Sequence, residues 1–173
     1  AIRSGYLVFF RTHPPSIWMG LKLFIECANA SMASPSTNCD ADSDAAIGAT
    51  ESASQLVDGE AIDAFAHSIK SFNPIHMDGE WVRKNTKYPD RIAHGVMTTA
   101  LMSQPLVKFC ERYKIRTALI TSFSRYIRPV ISGDTITTTV RLVEKLDKKK
   151  RLRFDVQTTN QNDEIVMIGE LVE

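Results

Sequence analysis

Residues 134–157, DTITTTVRLVEKLDKKKRLRFDVQ, decide the fold. Ile136, Thr138, Val140 and Leu142 recur at every second position. Successive side chains of a strand point to opposite faces, so this set lies on one face. Leu152, Phe154 and Val156 alternate in the same way with Arg151, Arg153, Asp155 and Gln157. Residues 148–151 are basic and form a turn between the two runs. A connection that short joins strands antiparallel, since parallel strands need a long crossover.

The pattern continues on both sides. Residues 160–163 make another turn, and residues 165–172 a last strand. Upstream, residues 118–126 are rich in β-formers, with Pro129 and Ser132-Gly133-Asp134 as the break that follows. Further upstream the period changes. Ile92, Val96, Met97, Ala100, Leu101, Val107 and Cys110 recur at helical spacing and predict one long helix, apolar nearly all round and therefore buried. Pro105 removes one backbone donor and bends that helix or starts a new turn. Residues 58–68 predict a short helix capped by Asp58, with Ile62, Phe65 and Ala66 on its inner face. Residues 78–86 predict another, with Trp81 and Val82 as its apolar contacts. The fold class is α+β: an antiparallel sheet curled around one long buried helix.

The 173 residues carry a net charge of +1, which offers no general attraction to nucleic acid. Cys27, Cys39 and Cys110 are far apart and show no zinc-ligand spacing, so neither a disulfide scaffold nor a metal site is indicated. The small net charge is a cancellation. Residues 1–60 hold three basic and seven acidic side chains, and residues 61–173 hold eighteen and thirteen. Residues 29–54 are mostly Ala, Ser, Asp, Thr and Asn, with only Met32 and Ile47 large and apolar. Such a stretch buries too little to offset its ordering entropy and is expected to be a disordered acidic linker. Residues 1–28 are basic and apolar, with Glu26 as the only acid. They are expected to be a mitochondrial transit segment or an arm that docks on a larger assembly. Residues 55–173 form the packed domain.

Two clusters carry the chemistry. One is Ser71-Phe72-Asn73-Pro74-Ile75-His76-Met77-Asp78, and the other is Ile92-Ala93-His94-Gly95 at the start of the predicted helix. A glycine there offers a backbone N–H at the positive end of a helix, suited to a carbonyl oxygen that gains negative charge. A histidine facing it can handle a proton. His94 is expected to tie the helix start to a neighbouring loop. His67 and His13 are expected to face solvent.

The order Phe65-Ala66, Asn73-Pro74-Ile75-His76, Ile92-Ala93-His94-Gly95, Arg128-Pro129-Val130 and Gly133-Asp134 resembles the MaoC-like hydratases, hotdog proteins that include (R)-specific enoyl-CoA hydratases and 3-hydroxyacyl-thioester dehydratases. The resemblance implies a single hotdog. It makes His76 the histidine that activates water, Gly95 the oxyanion-hole glycine, Asn73 the loop residue that buttresses the site, and Ser103 and Ile75 pocket-lining residues. It implies no resident cofactor and no metal. The substrate or ligand is a thioester of coenzyme A or acyl-carrier protein, and the partner is a second copy or another hotdog chain. One position departs from the pattern: Ser71 stands where the family has its catalytic aspartate. Serine cannot take a proton as a carboxylate does at neutral pH. Asp63 and Asp78 are the nearest carboxylates in sequence. Three readings follow: a hydratase or dehydratase of weakened activity, a non-catalytic subunit, or an acyl-thioester-binding module.

Overall fold

The alternation in residues 134–157 becomes two long strands. In the computed structural model, which describes residues 44–146 and 151–173, β3 spans Asp134–Leu146 and β4 spans Arg151–Thr159. They pair antiparallel, with a bulge between Leu142 and Glu144. Ile136, Thr138, Val140, Leu142, Leu152, Phe154 and Val156 are all buried, on the face the spacing predicts. The buried hydroxyls of Thr138 and Thr158 bond each other at 3.0 Å, so neither leaves an unpaired group in the core. β5 (Ile165–Val172) follows β4 through a turn held by Asn160, whose Oδ1 accepts from the N–H groups of Asn162 and Glu164. β2 (Thr121–Tyr126) pairs with β5. The expected turn at residues 148–150, the linker up to residue 43 and the segment 1–28 lie outside the described residues.

The domain starts earlier than composition suggests. Residues 50–54, assigned above to a linker, form most of β1 (Thr50–Val57). This strand pairs antiparallel with β3, from Thr50↔Arg141 to Val57↔Asp134, and completes a five-stranded sheet in the order β1-β3-β4-β5-β2. Its stability comes from partners far away in sequence. Ser52 and Ser54 pair with the hydroxyls of Thr139 and Thr137, each at 2.8 Å, on the outer face. Ala45 is fully buried in the core ahead of it.

The single long helix is two. α4 spans Gly95–Ala100 and α5 spans Ser103–Tyr113. Pro105 explains the break and its position. A helix running through would have residue 105 donate to the carbonyl of Leu101, but proline has no N–H and its ring clashes with that carbonyl. The Leu101 oxygen instead accepts from Gln104 at 3.3 Å, a tighter turn, and Pro105 falls in the first turn of α5, where no helical donor is needed. The pair is also less enclosed than expected, with Val96 55% exposed. Met97, Met102, Leu106 and Phe109 face the sheet, and Phe109 meets Phe154 edge to face at 5.0 Å. Three short helices precede them: α1 (Gly59–Ile69), α2 (Pro74–Met77) and α3 (Gly79–Asn85). Asp58 caps α1 through the Ala61 N–H, and Asp78 caps α3 through the Trp81 N–H. Val82 is buried as expected, whereas Trp81 remains exposed.

Candidate active site

Two loops meet because a third holds one of them. Val130 accepts the N–H of Ala93 at 2.8 Å, and Ser132 donates to the carbonyl of Arg91 at 2.8 Å. Ile92 and Ile131 form the bridge between these bonds. The segment 130–132 is itself fixed by a turn at Gly133, whose φ of +98° suits glycine. The Asp134 carboxylate closes that turn on the Ile131 N–H at 2.7 Å. Residues 91–93 are therefore held like a short strand that delivers His94 and Gly95 to the start of α4.

Ile92 is also the hub for the other loop. Its N–H donates to the Ile75 carbonyl at 3.2 Å, and its carbonyl accepts from Nδ1 of His76 at 2.8 Å. Asn73 caps α2 through the Ile75 N–H at 3.3 Å, which orients the turn carrying His76. A carbonyl is only an acceptor, so Nδ1 of His76 carries the proton. Nε2 is then the atom with a free lone pair, as a general base requires.

His94 lies directly against it. The two imidazoles stack with centroids 3.7 Å apart and planes 28° from parallel. Nε2 of His94 donates to the Ser71 carbonyl at 3.1 Å, the tie to a neighbouring loop that the sequence suggests. Phe65 covers the far side at 5.6 Å. Burial first, and then the neighbouring His76, hold the His94 imidazole below its ordinary value, while the Ser71 carbonyl opposes them. Burial and the neighbouring ring thus disfavour the charged form of His94. No local pattern marks the stack, because the rings stand eighteen residues apart.

Gly95 is the first residue of α4, so its N–H has no acceptor within the helix. The Tyr126 ring packs against its Cα. An added Cβ would stand 3.0 to 3.3 Å from three ring atoms. The ring is tethered by its hydroxyl, 2.7 Å from Oγ1 of Thr99. Gly95→Ala is therefore expected to cost about 1 kcal/mol by overpacking. Urea unfolding of this variant in wild-type and Tyr126→Ala backgrounds checks the cause. The cost should largely vanish without the ring, and an equal cost in both backgrounds contradicts the account.

The remaining expected residues divide. Ser71 is placed at the site, through its carbonyl on His94. Its hydroxyl makes no hydrogen bond to His76. Ile75 contributes its backbone to the Ile92 hub. Ser103 opens α5, half-buried, and makes no hydrogen bond to His76, His94 or Gly95. Asp63 is held by Arg91 at 2.6 Å and Asp78 by its capping role. Among the described residues no carboxylate pairs with His76.

The fold agrees with what the chain resembles. The family described as MaoC like domain matches residues 46–164, a span that includes β1. An R-hydratase from Pseudomonas aeruginosa in the unliganded form is similar at 25% identity, covering 74% of this chain and 80% of that one, with a TM-score of 0.63. The (R)-hydratase from A. caviae involved in PHA biosynthesis is 21% identical over 75% of this chain and 96% of that one, with a TM-score of 0.67. A 3R-hydroxyacyl-ACP dehydratase complex from Mycobacterium tuberculosis shares the fold at 17% identity, over 75% and 98% of the two chains, with a TM-score of 0.65. No curated protein matches the chain.

Proposed function

The chain belongs to the MaoC-like domain family, and from that premise we propose that its site adds water to, or removes it from, an acyl thioester, at a rate lowered by Ser71. The observation that carries this reading is His76, held by its Nδ1 proton on the Ile92 carbonyl with Nε2 left free beside Gly95's helix. In the hydration direction, Nε2 takes a proton from water as the water oxygen bonds to C3 of a 2-enoyl thioester. The C2=C3 electron pair moves towards the thioester oxygen, which the Gly95 N–H stabilises. The imidazolium then returns a proton to C2, and one water has been added. Asn73 and Ile75 keep the loop in place, and Ser103 lines the pocket. The thioester is carried by coenzyme A or acyl-carrier protein.

Loss of enoyl absorbance from crotonyl-CoA tests the reading. The native chain should turn over slowly, and His76→Ala should fall to background. A native rate that His76→Ala leaves unchanged defeats the assignment.

One observation favours a second reading, a non-catalytic partner subunit. β2 lies at a sheet edge and exposes Phe123 and Tyr126, with Leu119, Ile120 and Ile127 exposed beside it. An apolar open edge invites a second sheet. A ChsH1-ChsH2 complex from Mycobacterium tuberculosis shares the fold. In this reading the chain pairs with another hotdog chain, and residues 1–28 serve mitochondrial delivery or docking. Absence of turnover in the isolated chain, with activity restored in a co-purified pair, would favour it.

A further inference from the structure

His94 has features that a space-filling residue does not need. It is 5% exposed, and its Nδ1 has no hydrogen-bond partner. With Nε2–H given to the Ser71 carbonyl, Nδ1 is a bare acceptor in the interior. Such orphans are uncommon in native proteins and call for a reason. A phenylalanine or leucine would fill the slot without one.

The reason lies in the ring beside it. We propose that His94 is the positioning residue for His76, a neutral platform that fixes the ring of the base and supports its charged form. This rests on the reading of His76 as the base. Face-to-face stacking at 3.7 Å leaves His76 one in-plane rotation, and the Ile92 carbonyl selects which nitrogen carries the proton. When Nε2 takes a second proton, the imidazolium lies over the face of a neutral aromatic ring, a favourable cation–π arrangement. Two charged rings at that distance would repel, so the platform works only while His94 stays neutral. The groups facing the pair agree with this. They are Phe65 from α1, the Ser71 carbonyl, and the Ile92 carbonyl, and among the described residues no charged side chain bonds to either ring. With no carboxylate on His76, the platform is the group that takes over its orientation.

The test is histidine-selective nitrogen–proton NMR of the full chain, which reads the tautomer of His76, alongside crotonyl-CoA kinetics. His94→Phe keeps the ring and loses the bond to Ser71. His94→Asn keeps a donor and loses the ring. The native chain and His94→Phe should hold His76 as the Nδ1–H form. His94→Asn should show a mixture with the Nε2–H form, and kcat should fall about 10²-fold with KM little changed, the effect expected of a misplaced group. An unchanged tautomer and unchanged kcat in His94→Asn overturn the proposal. If His94→Asn lacks native near-ultraviolet dichroism, His94→Phe decides alone: a retained tautomer supports the platform and a scrambled one overturns it. If the native chain shows no hydration, the tautomer still decides the role of His94, and the failed assay counts only against the hydratase reading.

Discussion

Ser71→Asp is expected to raise crotonyl-CoA hydration on the order of 10²- to 10³-fold, the range spanned by adding one partner to an acid–base pair. The backbone is ready for it. Residue 71 sits at the site, and its carbonyl is pinned by His94 rather than free to drift. The two carboxylates nearest in sequence are already engaged, Asp63 with Arg91 and Asp78 with the first turn of α3. The hydroxyl of Ser71 makes no bond to His76, so no existing contact is lost by the exchange. A carboxylate there would also stabilise the imidazolium, so the rate should extend to higher pH for steps that need His76 charged. Measuring the pH profile of kcat for both proteins separates a new acid–base partner from a general gain in folding. An unchanged rate in Ser71→Asp, with His76→Ala inactive, would mean that His76 works without a carboxylate. An inactive Ser71→Asp would leave the partner-subunit reading in place.

The parts of the fold legible in the sequence are those specified locally. The alternation of β3 and β4, the cap at Asp58, and the turn at Asn160 each depend on residues a few positions apart. β1 was not legible, because its strand character comes from hydroxyl pairs with Thr137 and Thr139, more than eighty residues on. The helix break lay in plain view, yet its position follows from which carbonyl Pro105 would have served, not from where the proline stands. The site shows the same division. His76 and Gly95 are marked by short motifs. The stack on His94, the Ile92 hub and the Tyr126 ring against Gly95 arise only where three segments converge.

Glu173 carries the largest predicted effect on stability. Its backbone pairs with Leu152 on both sides, which draws the side chain into the interior, 5% exposed. Oε2 makes no hydrogen bond there. Burial pushes the carboxyl from 4.5 up to about 7, and the nearby Thr117 hydroxyl opposes this only in part. Below 4.5 both folded and unfolded chains hold the proton. Between 4.5 and about 7 the folded chain keeps a proton that the unfolded chain releases. Stability from this group is therefore complete below that window and is lost as pH rises through it, by about 3 kcal/mol. His94 acts in the opposite sense. Its lowered value makes the unfolded chain the better proton acceptor, so its contribution is lost as pH falls below 6.5. The two slopes oppose each other over part of the range. Glu173→Gln removes one. Urea unfolding at pH 4.5 and pH 8 should show the variant gaining about 3 kcal/mol over the native chain between the two pH values. A difference that stays flat would mean that the Glu173 carboxyl is solvated, and would remove the reason for the shift.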